Sequence, residues 1–381
     1  MIPSDSRCCV RSRSFTARTL RAGPGATCRN SAARSTLPAA PDRRLRTRSA
    51  AMPGAAAGKM HSTTRWSPGR RPRAWSRSCC ERAPACRRGR IIYNAPDSFT
   101  GELMLKLAAF ADEISPQLDE QIRVCRENGI MHIELRGVYG RNCLDFDKPL
   151  RAEIKSKLQA NGMGVAAIGS PIGKVKVTED WTQHFDRFKI AVELAQFFDA
   201  PMVRLFSYYP DDSGEILRYR DEVIRRFQQK VDYVRNIDVT LVHENESRIY
   251  GETGQRCLDL MQAINSPRLR SAFDFANFVQ VKQRPLDCWP MLKPYTVHIH
   301  VKDALWADGK VVPAGQGDGS LEPILKDAYQ SGYRGFLSLE PHLKAHGQFS
   351  GFSGPELFKT AADALKELCR RAGIPLQTQQ A

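Results

Sequence analysis

From residue 104 onward, short apolar runs alternate with longer stretches that are apolar on one side only. The short runs are rich in Val, Ile, Leu, Ala and Phe and end in polar residues, as buried strands do. They predict strands at 105–111, 131–135, 164–168, 202–206, 239–244, 269–275, 295–301 and 336–340. The longer stretches carry the helical repeat. They predict helices from Ser115-Pro116 to about residue 128, and at 149–160, 182–198, 215–235, 255–264, 321–330 and 356–372. A shorter helix interrupted by proline precedes the seventh strand. Ser115 before Pro116 reads as a helix start, and Asn128-Gly129 and Asn161-Gly162 read as helix stops.

Eight strand–helix units in 278 residues suit an α/β fold, a single (β/α)8 TIM barrel over 104–381, for which about 250 residues is usual. The strand tips support this. In Val297-His298-Ile299-His300-Val301-Lys302-Asp303, alternation puts His298 and His300 on one face. Three other strands end on an acid: Glu244, Asp274 and Glu340. With His300 these tips are 30, 26 and 40 residues apart, about one unit each. They converge only if parallel strands close into a barrel, whose active site lies at the C-terminal ends.

Charge divides the chain. Of 57 basic and 41 acidic residues, 21 and 3 lie in the first 90 positions, which leaves 36 and 38 for the rest. The body is near neutral, which removes the main support for a nucleic-acid partner. Residues 1–103 form an Arg-, Ser-, Ala- and Pro-rich leader without hydrophobic periodicity, and disorder is expected there. It reads as a transit peptide, a basic tail or a segment that is not translated. Met104, directly before the first strand, suits a start codon, and Gly101-Glu102 can be encoded as a ribosome-binding sequence. The eleven cysteines are dispersed, five of them in the body, with no zinc-site spacing. This points to a reducing, cytoplasmic setting. No run is long enough to span a membrane, and no Gly-rich nucleotide loop is present.

Two glutamates, one aspartate and one histidine make a hard oxygen–nitrogen set. It suits one divalent metal ion (Mn, Co, Mg or Zn), although the lack of thiolates argues against a structural zinc. Such an ion can grip the carbonyl and hydroxyl of a sugar and stabilise an enediolate after proton removal. Further candidates for substrate binding are Glu134, Lys174, Arg204, Glu246, Asn277, Lys302 and Asp303. Glu134 contacts a substrate hydroxyl or closes a salt bridge in the barrel mouth. Lys174 and Arg204 suit a phosphate or carboxylate. Lys302 and Asp303 orient the substrate or pair with neighbours. Arg248, after the fifth strand, is a further candidate to line the pocket, Trp306 and Phe206 wall it or serve in ordinary packing, and His298 packs deeper in its strand.

The body resembles the sugar phosphate isomerase/epimerase superfamily, the xylose isomerase-like TIM barrels. The stretches that carry the resemblance are Phe110–Ser115, Ile133–Arg136, Val242–Glu246, Phe273–Asn277, His298–Asp303 and Leu337–His342. The resemblance implies one divalent ion held by Glu244, Asp274, His300 and Glu340. It also implies acid and base roles for Glu244 and Glu340 on opposite faces of the substrate carbon, and homo-oligomers are common in the family. Ketose 3-epimerases of this kind have a histidine where this chain has Asn277, so isomerase, epimerase and dehydratase stay open. The leading expectation is a metal-dependent sugar isomerase or epimerase with a small carbohydrate substrate and neither nucleic acid nor membrane as partner. The alternative is a lyase that dehydrates an inosose or 3-keto sugar. An endonuclease IV-like repair enzyme, whose site is richer in histidine, and a non-catalytic barrel rank below.

Overall fold

A computed structural model describes residues 104–211, 213–344 and 351–377. The expectations for the leader, 1–103, and for a frayed tail beyond 377 lie outside the described residues. Within them, eight parallel strands close a barrel. The strands are β1 (Lys106–Ala109), β2 (His132–Leu135), β3 (Gly164–Ile168), β4 (Met202–Leu205), β5 (Thr240–Glu244), β6 (Leu269–Asp274), β7 (Thr296–Val301) and β8 (Phe336–Leu339). The helices are α1 (Leu118–Glu127), α2 (Lys148–Ala160), α3 (Trp181–Phe198), α4 (Arg220–Tyr233), α5 (Gly254–Ile264), α6 (Phe275–Gln280), α7 (Pro285–Leu292), α8 (Leu321–Gln330) and α9 (Pro355–Ala372). Neighbouring strands pair in chain order, and β1 closes the ring on β8, with Lys106 beside Phe336 and Ala109 beside Leu339.

Alternation along the strands sorts the core. Outward-facing Leu241, Phe273, Ile299, Val301, Leu337 and Leu339 join the large apolar layer under the helices. Inward-facing Ala167, Val242 and Ala272 meet Met202 in a small apolar plug. Above that plug the inward positions turn polar. Arg204, Glu244, Asp274 and His300 are each nearly or fully buried. Register aligns two of them, because Asp274 is the lateral partner of His300.

Several boundaries differ from expectation. Helix α1 begins at Leu118, flanked by Gln117. Ser115 instead holds a turn, its Oγ accepting the Gln117 N–H at 3.2 Å. The predicted 215–235 helix is split, with a 3-10 turn at Ile216–Tyr219 before α4. Helix α6 was not expected at all. It springs from the end of β6, and Asp274 is its N-cap, Oδ1 accepting the Asn277 N–H at 2.7 Å. A β-strand period running straight into a six-residue helix leaves no room for an amphipathic repeat, so the sequence pattern hides it. No helix among the described residues is long and apolar enough to cross a membrane.

Candidate active site

The C-terminal end of the barrel gathers the four expected tip residues. One donor atom from each of Glu244, Asp274, His300 and Glu340 lies within 4.8 Å of the others. Glu244 Oε1 is 3.4 Å from His300 Nδ1 and accepts Asn277 Nδ2 at 3.1 Å. Its Oε2 faces Arg204 at 3.2 Å. Lys302 Nζ stands 3.0 Å from both Asp274 and Glu340. Arg136 reaches Glu340 at 3.1 Å and also pairs with Asp112 at 2.8 Å and Glu113 at 3.5 Å. Both guanidinium groups stack on the Phe110 ring, 4.6 Å away for Arg136 and 4.9 Å for Arg204.

These contacts set the charge states. Burial works against ionisation of Glu244, but His300 and Arg204 outweigh it and hold the carboxyl at about 2. Burial likewise opposes ionisation of Glu340, and Lys302 and His342 overcome it. Asp274 behaves differently. Burial and the nearby Glu244 and Glu340 carboxylates push it up to about 6, against the pull of Lys302. Three carboxylates so close together strain one another and favour a cation. His300 Nδ1, Glu244 Oε2 and Asp274 Oδ2 are buried without a hydrogen bond, though Arg204 and Lys302 lie within ion-pairing reach of the two oxygens. A divalent ion with oxygen and imidazole ligands fits this donor set.

A cleft of about 470 Å³ opens over the cluster. It brings in Lys174, Arg204, Glu246, Asn277 and Lys302 as expected, and Lys174 is paired with Glu246 at 2.9 Å. Two expected substrate contacts are elsewhere. Asp303 is fully buried and accepts the backbone N–H groups of Ala304, Gly315, Gly317 and Gly319, each at 2.9 Å. It builds the loop after β7 and has no oxygen left for a substrate. The fit is tight, since a Cβ on Gly317 would lie 2.4 Å from its Oδ1. Glu134 points into the barrel beneath the cluster. Its Oε2 binds His298 Nε2 at 2.7 Å, His300 Nε2 at 3.1 Å and Ser338 Oγ at 2.8 Å. Its contacts are thus with His298, His300 and Ser338 inside the barrel rather than in its mouth. Arg248 lines a separate cavity with Tyr209 and Arg256. Trp306 packs on Ala276, Val279 and Ala304, whereas Phe206 lies under Lys174, 4.3 Å from its Nζ.

Arg136, Asp112, Glu113 and His342 also border the cluster, with nothing in residue type alone to mark a role. His342 Nε2 sits 3.0 Å from Glu113 and 3.4 Å from Glu340. Burial lowers its affinity for a proton, but those two carboxylates raise its pKa to about 9. The available signal was the spacing of two residues from Glu134 to Arg136 and from Glu340 to His342, which returns a side chain to the same side of an extended segment.

Fold and site together define an α/β barrel of the enzyme type, with its polar centre at the C-terminal mouth. A family model described as xylose isomerase-like TIM barrel matches residues 122–368, and the chain belongs to that family. A curated relative, 3-dehydroshikimate dehydratase of Bacillus anthracis, is 19% identical over 187 residues, a stretch covering 49% of this chain and 66%, just under two thirds, of that protein. Among solved structures, a D-tagatose 3-epimerase-like protein aligns with a TM-score of 0.57 at 14% identity, over 71% of this chain and 98% of its own. A xylose isomerase-like TIM barrel protein from Mycobacterium smegmatis in complex with magnesium aligns with a TM-score of 0.55 at 17% identity, over 71% and 97%. At these identities the structural likeness is one of fold.

Proposed function

We propose that the protein is a divalent-metal-dependent isomerase or epimerase of a sugar or sugar-like polyol. Glu244, Asp274, His300 and Glu340 would hold the ion. When bound, it supplies Lewis-acid polarisation of a carbonyl and its neighbouring hydroxyl. The observation that carries the reading is the placement of the two glutamates. Glu244 ends β5 and Glu340 follows β8, three places apart in a ring of eight, so they reach the centre from roughly opposed walls. One carboxylate takes the proton from the carbon next to the carbonyl, and the electron pair of that C–H bond moves toward the carbonyl oxygen. The other carboxyl, first loaded with a proton from solvent, donates it to the opposite face and is left ionised, and the first gives up the abstracted proton to solvent. Arg204 holds Glu244 and Arg136 holds Glu340, so each carboxyl is fixed in place. Lys174, Glu246 and Asn277 line the cleft where hydroxyl groups would bind.

The test is solvent deuterium exchange. Purified protein with Mn²⁺ and a panel of ketoses, aldoses and inososes in D₂O is expected to exchange the proton next to the carbonyl in at least one substrate. Glu244→Gln and Glu340→Gln are each expected to slow that exchange by about 10²–10⁴-fold. No exchange in any substrate overturns the reading. A second reading, dehydration, is favoured by the asymmetry at Glu340, which Lys302 and His342 crowd while Glu244 has neither. Loss of a β-hydroxyl would then give an enone, seen as ultraviolet absorbance in the same assays.

A further inference from the structure

Beneath the cluster, one oxygen of a fully buried carboxylate takes three hydrogen bonds. Glu134 Oε2 meets His298, His300 and Ser338, from β7, β7 and β8, at 2.7, 3.1 and 2.8 Å. His300 thus uses Nε2 on Glu134, while Nδ1 faces Glu244 at 3.4 Å and has no hydrogen bond. With an ion in place, an Nε2–H donating to Glu134 would leave the Nδ1 lone pair for the ion, and the negative charge behind the ring would make it a better donor. The ring is also held from the side. Phe110 packs edge-on against it, with centroids 5.2 Å apart. His298 and Ser338 in turn keep Glu134 from swinging away.

We infer that Glu134 is a positioning residue: it fixes His300 with Nδ1 turned toward Glu244, and thereby sets how tightly the tip cluster holds a divalent ion. This rests on the metal-site reading proposed above. It reassigns the residue from substrate contact to the support of a ligand, across β2 and β7, strands that are not neighbours in the barrel.

The experiment uses full-length protein stripped with a chelator. Mn²⁺ affinity is measured by calorimetry and the Co²⁺ complex by visible absorption, for wild type, Glu134→Gln and Ser338→Ala, with thermal midpoints alongside. Glu134→Gln keeps an acceptor but loses the charge. It is expected to bind Mn²⁺ about 10- to 100-fold more weakly and to alter the Co²⁺ spectrum. Ser338→Ala removes one of the two donors that hold Glu134 in place and leaves its charge and the His298 contact; it is expected to weaken Mn²⁺ binding less than Glu134→Gln does. Folded Glu134→Gln with wild-type affinity overturns the inference, as do lowered thermal midpoints in both variants with unchanged Mn²⁺ affinity. Should Glu134→Gln fail to fold, Glu134→Asp replaces it, keeping the charge at a shorter reach. Weakened binding then supports the inference and wild-type affinity overturns it. A wild-type protein that takes up neither ion overturns the metal-site reading itself, a result distinct from those of the variants.

Discussion

Arg136 shows how much one buried charge can organise. It is 5% exposed and faces Asp112, Glu113 and Glu340 together. Burial works against its charge, and those three carboxylates more than restore it. Removing the guanidinium strands several buried carboxylates rather than deleting one contact. Arg136→Met is therefore expected to cost about 3–5 kcal/mol of unfolding free energy, the range for breaking a buried ion pair, measured by urea denaturation. An exposed pair such as Arg123 with Glu127, at 2.9 Å and with both side chains more than half exposed, should cost less than about 1 kcal/mol when broken.

At the scale of elements, the β6–α6 junction joins stability to chemistry. Asp274 caps α6 through Oδ1 and faces the cluster through Oδ2, which Lys302 approaches at 3.0 Å. The two tasks separate by substitution, because asparagine caps a helix about as well as aspartate does. Asp274→Asn is expected to keep the cap but weaken Mn²⁺ uptake. Asp274→Ala is expected to lose both and to be less stable than Asp274→Asn by about 1 kcal/mol. Paired unfolding and metal-binding measurements on the two variants check this. Equal stabilities would show that the cap contributes nothing. The loop after β7 follows the same logic without the chemistry, since Asp303 spends its whole carboxylate on four backbone N–H groups.

Across the whole molecule, stability should depend on pH through groups far from the mouth. His184 is 8% exposed among Trp181, Tyr208, Lys230, Arg226 and Arg187. Burial and those cations push its pKa down to about 3. In the unfolded chain the same imidazole titrates near 6.5, as free histidine does. Between those values the unfolded state binds a proton that the fold excludes. Stability from this group is present in full above about pH 6.5 and declines as pH falls toward 3, by at most about 1.4 kcal/mol per pH unit. His184→Phe is expected to flatten that part of the profile, read as the urea midpoint against pH. An unchanged slope would mean the decline comes from other groups.

The barrel and its four tip residues were legible because strand alternation is local and the spacing of successive units is regular. Glu244, Asp274, His300 and Glu340 each close a short apolar run, and parallel strands bring such ends together whatever the loops do. The family followed from the same stretches. The partners of these residues were not legible. Glu134 and Asp303 looked like substrate contacts, since a polar residue at a strand tip carries no mark of whether it turns into the barrel, into the cleft or back on its own loop. Arg136 and His342 carry no clearer mark, although both reach Glu340. Sequence by itself determined the order of the eight strands, the closing of the ring and the four acidic and histidine tips at its mouth, all of which rest on backbone periodicity. Only the tertiary structure decided what each buried charge faces, because that depends on approach distances of a few ångströms between strands far apart in the chain, such as Glu134 with His300 and Arg136 with Glu340.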